Sequence, residues 1–189
     1  MSAIRIRVLV EVGLTIALSA VLGLLSVWQM PQGGSVSFVM LPIFVLAIRR
    51  GWRVGMAAGA LYGVVDFMIE RYLFHPVQAL LDYAIAFALC GLAGIFAARW
   101  AESSRTHGAA KAFWIAALPG VVLASLARYA AHVLSGVVFF ASYAVEAGQA
   151  PLVYSLAYNS FVLVSGGACA VAAAAVLPAL RRGVDGAEA

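Results

Sequence analysis

Charge is what this sequence has least of. Only 11% of its 189 residues are Asp, Glu, Lys or Arg, against about 25% in soluble domains. With 65% apolar residues and a mean hydropathy of +1.00, the composition argues against a water-soluble enzyme. Cysteine is scarce too, and Cys90 and Cys169 both sit in apolar helical context, where a thiol behaves as a small hydrophobe. They suggest neither a disulfide framework nor a metal site. No Walker-type phosphate loop, metal-spaced His/Cys cluster or Ser/His/Asp series is present, so the chain has no hydrolytic centre and no means of hydrolysing ATP. No cofactor is implied. The net charge is +4, but the basic residues are scattered between hydrophobic runs rather than gathered in a patch, which argues against nucleic acid as a partner.

What the chain does have is long hydrophobic runs. A bilayer-spanning helix needs about 20 mostly apolar residues, and six stretches of helical length are marked: 8–30, 36–48, 54–69, 76–98, 112–140 and 152–180. The expected fold is all-α, a six-helix membrane bundle forming a single polytopic domain over 1–189. Arg5 and Arg7 before the first run imitate a secretory signal, but no convincing small-residue cleavage site follows, so the run reads as a retained helix. Met30-Pro31-Gln32-Gly33-Gly34-Ser35 ends that helix in a turn or re-entrant loop. The second and third spans are short and meet at Arg49-Arg50-Gly51-Trp52-Arg53. Pro76 suits a first helical turn, Trp100 reads as an interface anchor, 101–111 reads as a polar loop, and Pro119 predicts a kink. No internal repeat is apparent.

Arginine placement sets the orientation, because basic loops stay in the cytoplasm. Arg5, Arg7, Arg49, Arg50, Arg53, Arg99, Arg105, Lys111, Arg181 and Arg182 fall on one side, ten of the twelve basic residues. Arg71, Glu70 and Glu146 fall on the other. Both termini are therefore expected in the cytoplasm, in a multi-pass protein of the cell membrane with lipid as its surroundings.

Charged groups inside hydrocarbon are costly, so each usually has a partner or a task. The candidates are Glu11, Asp66, Asp82, Arg128 and His132, with Glu70 and His75 at outer ends. Glu11 lies near the cytoplasmic start of its helix, within reach of the interface. Gln78 and Asp82 share a face, and Asp82 either pairs with Arg128 to hold helices together or is presented to an outward cavity. Arg128, His132, Gly136 and Phe140 recur every four residues, placing a cation, an imidazole, a bare backbone patch and an aromatic face along one side. That side reads as the wall of a small-molecule cavity. Taken singly, His132 and Gly136 are equally packing residues. Tyr154 and Tyr158 share a face, as do Ser155 and Asn159; the tyrosines also suit an interfacial belt, whereas the Asn159 amide can donate to and accept from a heteroaromatic ring. The implied ligand is small, polar, partly aromatic and cationic, with Asp82 neutralising its charge and Phe140 stacking on it. Finally, Gly13, Ala17 and Ala20 make a small-residue ridge on the first helix, used for packing inside the bundle or for docking another subunit.

Several motifs occur in order: Met30-Pro31-Gln32-Gly33-Gly34-Ser35-Val36-Ser37, Leu41-Pro42-Ile43-Phe44, His75-Pro76-Val77-Gln78, Leu81-Asp82-Tyr83, Arg128-Tyr129-Ala130-Ala131-His132-Val133-Leu134-Ser135-Gly136, Val138-Phe139-Phe140 and Tyr154-Ser155-Leu156-Ala157-Tyr158-Asn159. Over most of the chain they resemble the thiamine-specific substrate-binding (S) components of energy-coupling factor (ECF) transporters, the ThiT/YuaJ-like family, also described as proton-coupled thiamine transporters. The resemblance implies a six-helix S-component bundle that holds thiamine near the outer face under the first loop. It places the site on Asp82, Tyr83, Arg128, His132, Gly136, Phe140, Tyr154 and Asn159. It also implies docking through Gly13 and Ala17 on a transmembrane coupling subunit that works with two ATPase subunits. A solitary proton-coupled thiamine transporter is the alternative. Some family members carry Glu, Lys and Trp where this chain has Asp82, Arg128 and Phe140, and a loop Trp where it has Gly34.

Overall fold

The computed structural model describes residues 3–70 and 72–185. Arg71, counted above for orientation, lies outside them, as do the side chains of Arg181 and Arg182. Apart from one short hairpin, the regular structure is helical. Helix α1 is Ala3–Leu24; strands β1 (Trp28–Gln29) and β2 (Ser35–Val36) follow; then come α2 (Met40–Arg50) and α3 (Trp52–Glu70). Helix α4 runs over Pro76–His107 and α5 over Ala109–Phe139. The short α6 (Ala141–Glu146) precedes α7 (Pro151–Tyr158) and α8 (Phe161–Asp185).

Among the described residues four helical stretches are long and apolar enough to cross a membrane: Arg5–Leu24, Pro76–His107, Ala109–Phe139 and Pro151–Leu180. Their outward faces carry large apolar side chains with nothing over them, Leu9, Leu14 and Leu18 on α1 being 58%, 57% and 55% exposed. Such a surface is stable only in lipid or against a partner. At 11 residues, α2 spans only about 16 Å at 1.5 Å per residue, and most of it is buried in the core.

The first helix stops at Leu24 rather than Met30, and α2 begins at Met40 rather than Val36. The reason is the hairpin between them. Val27 N–H donates to the Val36 carbonyl (2.9 Å), and Met30 N–H donates to the Gly34 carbonyl (2.9 Å). Gly33 and Gly34 supply the left-handed φ angles of +90° and +85° that close the turn. The stretch expected as a polar loop, 101–111, is helical to His107, because Trp100 and Ser104 bury one face of that segment while its polar residues face outward. The break falls at Gly108, where φ is +79°. Trp100 is 7% exposed and belongs to the core, not to an interfacial belt. A widened π turn over Phe113–Ala117 precedes Pro119, accommodating the ring that would otherwise strike the preceding turn.

The core gathers Met40, Ile43 and Phe44 of α2, Tyr62 of α3, Phe87 and Cys90 of α4, Val121 and Ala124 of α5, and Cys169 and Leu177 of α8. Helix α3 reaches α4 at backbone distance because Gly55, Gly59 and Gly63 face Gly91, Phe87 and Tyr83. This is a small-residue seam suited to membrane helices. Glu11 has a partner on α2. Arg50 Nε and Nη2 donate to its two carboxylate oxygens at 2.7 and 2.6 Å, a fork that fastens α1 to the end of α2. In the ridge on α1 the three small residues part company. Ala20 packs on the core, whereas Gly13 and Ala17 are exposed and a Cβ added at Gly13 would meet nothing within 4 Å.

Candidate functional site

The beginning of α4 is built to aim one carboxylate. His75 caps the helix, its Nδ1 accepting from Val77 N–H at 3.1 Å, with Pro76 at the first helical position. The hydrogen bonding then widens to a π turn over Leu80–Ile85. Such turns rotate side chains out of the ordinary helical register and recur at functional sites. This one carries Asp82 and Tyr83. Gln78, 1% exposed, accepts from Phe74 N–H (3.0 Å) and donates through Nε2 to Asp82 Oδ2 (2.8 Å).

Helix α5 supplies the other donors to Asp82. Ser135 Oγ donates to Oδ2 at 2.8 Å, and His132 Nδ1 lies 3.1 Å from Oδ1. Because a carboxylate only accepts, that contact places the His132 proton on Nδ1 and turns Nε2 toward the interior as an acceptor in the neutral ring. Nε2 is buried and has no partner among the described residues. Arg128 does not pair with Asp82. Its guanidinium lies 4.0 Å over the Phe87 ring, and among the described residues it makes no ion pair.

Helix α7 closes the third side. Ser155 Oγ donates to the Val133 carbonyl at 2.9 Å, and Tyr129 OH donates to the Leu156 carbonyl at 2.8 Å. The missing Cβ of Gly136 is what lets Ser155 in, since a side chain there would collide with Ser155 Oγ. Gly136 therefore admits α7 as well as lining the cavity. Asn159 ends α7, and its Nδ2 donates to Ser155 O (2.9 Å), Ser155 Oγ (3.1 Å) and the His132 carbonyl (3.3 Å). With Nδ2 so engaged, the amide offers Oδ1 alone, an acceptor, rather than the donor and acceptor together that its chemistry suggests in isolation.

These elements enclose a cavity of about 100 Å³. All eight residues singled out from the sequence, Asp82, Tyr83, Arg128, His132, Gly136, Phe140, Tyr154 and Asn159, line it. The β1–β2 turn covers one side. Tyr158 OH accepts from Gln32 N–H (2.8 Å) and donates to the Gly33 carbonyl (3.1 Å), while Tyr154 OH donates to Gln32 Oε1 (3.1 Å). The two tyrosine rings stack at 5.9 Å, so they latch the turn rather than form a lipid-facing belt. Gly34 sits directly on Phe161, where any larger residue would collide with the ring. Trp28 points away, 64% exposed. At the mouth Phe140 lies 6.1 Å from Tyr72, 5.4 Å from Phe74 and 6.1 Å from Tyr143. The Tyr72 phenol, in the loop after α3, is pushed up to about 12, chiefly by its hydrogen bond with Tyr143 and then by burial; it stays protonated at any physiological pH.

Several cavity residues have no role assigned from the sequence. Asp66 and Glu70 stand out there only as charges, and both line the wall on α3. Tyr62, which holds Asp66 by donating to Oδ1 at 2.7 Å, is a missed site residue although its four-residue spacing from Asp66 is legible. Ser135, one position before Gly136, does not line the cavity but is a second missed residue, fully buried and holding Asp82 in place. Phe87, Phe161 and Gln32 join the site only through tertiary packing.

Fold and cavity together define a multi-pass membrane protein enclosing a polar chamber with aromatic walls. Residues 9–184 match the family described as Thiamine transporter protein (Thia_YuaJ), and the chain belongs to that family. It is 42% identical over 161 residues to Thiamine transporter ThiT of Bacillus subtilis (strain 168), covering 82% of each chain. It is 35% identical over 127 residues to Thiamine transporter ThiT of Lacticaseibacillus paracasei, covering 65% of this chain and 62% of that one. A solved structure of ThiT from Listeria monocytogenes superposes with a TM-score of 0.80 at 26% identity, covering 92% of this chain and 94% of that one. The family's role is transport rather than catalysis.

Proposed function

We propose that this chain captures thiamine in the cavity and serves as the substrate-binding subunit of an ECF-type importer. The observation that carries the reading is the Asp82 carboxylate, oriented by Gln78, His132 and Ser135 on the wall of an aromatic chamber. A permanent cation enters such a chamber only against a fixed counter-charge, and thiamine brings a thiazolium and a heteroaromatic amine. Asp82 faces the thiazolium, His132 Nε2 and Asn159 Oδ1 address the aminopyrimidine, and Phe140 with Tyr83 and Tyr154 contributes aromatic planes. Mass spectrometry of the small molecule that co-purifies from cells grown in rich medium tests this reading. Thiamine is the expected species, and a different bound vitamin overturns it.

The proposal extends to the membrane arrangement. α2 and α3 complete six crossings, with both termini in the cytoplasm, as the placement of basic residues supports. The exposed Gly13 and Ala17 give a partner helix close access to α1, which supports docking on a transmembrane coupling subunit that works with two ATPases. Proteoliposome uptake separates this from solitary operation. Transport that requires the coupling subunit, the ATPases and ATP is expected. Uptake by the isolated chain driven by a proton gradient overturns it, with the Asp82–His132 pair then the place to look for the titrating group.

The hairpin latch makes a kinetic prediction. Tyr158→Phe removes the hydroxyl that accepts from Gln32 N–H and donates to the Gly33 carbonyl, while its ring still stacks on Tyr154. Losing two hydrogen bonds of about 1 kcal/mol each, partly replaced by water, speeds thiamine release by about tenfold. The association rate changes little. Release of radiolabelled thiamine into excess unlabelled ligand measures the change.

A further inference from the structure

The α3 wall of the cavity carries polar groups that thiamine's charge and aminopyrimidine leave unused. Asp66 stands one turn from Tyr62 on α3, and Tyr62 OH occupies its Oδ1 at 2.7 Å, leaving Oδ2 to offer. Tyr62 is fully buried and meets the Phe87 ring edge-on at 4.6 Å, and the Arg128 guanidinium lies 4.0 Å over that same ring. Arg128 is 6% exposed, and its Nε is buried with no hydrogen-bond partner among the described residues. Tyr62, Asp66, Phe87 and Arg128 all line the same cavity as Asp82.

A buried donor without a partner is expensive unless something binds there. Arginine only donates and a carboxylate only accepts, so a group placed between them fits best if it does both and carries no charge. A cation would be opposed by Arg128 and an anion by Asp66. An alcohol meets the requirement. We propose that Asp66 and Arg128 form a hydroxyl subsite, and that Asp66 makes the cavity prefer the free alcohol form of its ligand over the phosphate ester. The inference rests on thiamine as the ligand, whose terminal hydroxyl is the polar group left over once its charge and its aminopyrimidine are assigned.

The test measures binding in detergent of thiamine, thiamine monophosphate and an analogue with ethyl in place of hydroxyethyl. The wild-type protein is expected to bind the ethyl analogue more weakly than thiamine; equal affinity overturns the subsite without any variant. Asp66→Asn is expected to narrow the preference for thiamine over its monophosphate by at least about tenfold and to shrink the difference between thiamine and the ethyl analogue. Glu70→Gln removes the same charge one turn further along α3, where Glu70 is exposed at the mouth, and is expected to move the preference less. An unchanged preference in Asp66→Asn, or a larger change in Glu70→Gln, places the hydroxyl elsewhere and overturns the inference. Failure of the wild-type protein to bind thiamine at all removes the functional reading itself, and the subsite with it.

Discussion

Asp82→Asn is expected to weaken thiamine binding by about 2–5 kcal/mol, a loss of roughly 30- to several-thousand-fold at 1.4 kcal/mol per tenfold. The substitution keeps the volume and deletes the counter-charge. It also turns an acceptor-only group into one whose amide nitrogen faces donors, since Oδ2 accepts from both Gln78 and Ser135 and Oδ1 lies against His132 Nδ1. Asp82→Glu retains the charge on a longer arm and should lose less than Asn does. Ser135→Ala removes a single donor and should cost about 1 kcal/mol. Calorimetric titration of the three purified variants gives the order. Unchanged affinity in Asp82→Asn, with the protein folded by thermal unfolding, would sink the assignment of Asp82 as counter-ion.

The parts of the site that can be read in the sequence are those that lie on one helix. The four-residue recurrence of Arg128, His132, Gly136 and Phe140 fixes a shared face whatever the rest of the fold does, and those residues all line the cavity. Gln78 and Asp82 likewise follow from spacing. What spacing does not supply is partnership between helices. Asp82 has Arg128 as its obvious partner by charge, yet it is held by a histidine, a serine and a glutamine, while Arg128 rests on an aromatic ring. Gly136 and Asn159, both expected to face a ligand, line the cavity and also serve the α5–α7 contact through Ser155, which spacing does not reveal. Helix limits fail for a different reason. Hydropathy does not tell apolar hairpin residues such as Val27 and Trp28 from one more helical turn, nor a polar helix with one buried face from a loop. The Gly55, Gly59, Gly63 repeat is as legible as the small-residue ridge on α1, but spacing alone does not say which ridge meets a neighbour inside the bundle.

That pair of small-residue ridges yields an expected contrast. In Gly59→Val the new Cβ falls on the backbone of Phe87 and Ala88. Backbone cannot rotate out of the way as a side chain can, so α3 and α4 must part. Overpacking ordinarily costs about 1–3 kcal/mol, and forcing apart a helix pair that also carries Tyr62, Asp66 and Asp82 should exceed about 4 kcal/mol. The variant is expected to purify poorly and to lose its sharp size-exclusion peak in detergent. In Gly13→Val the new Cβ meets nothing within 4 Å and the position is exposed, so folding and thiamine affinity should stay near the wild-type level. If α1 docks on a coupling subunit, that variant nonetheless fails in ATP-dependent uptake, because the added bulk stands where a partner helix must approach closely. Normal uptake by Gly13→Val would move the docking surface elsewhere. A well-folded Gly59→Val would show that α3 and α4 do not depend on backbone contact, and that something other than the glycine seam holds Tyr62 against Phe87.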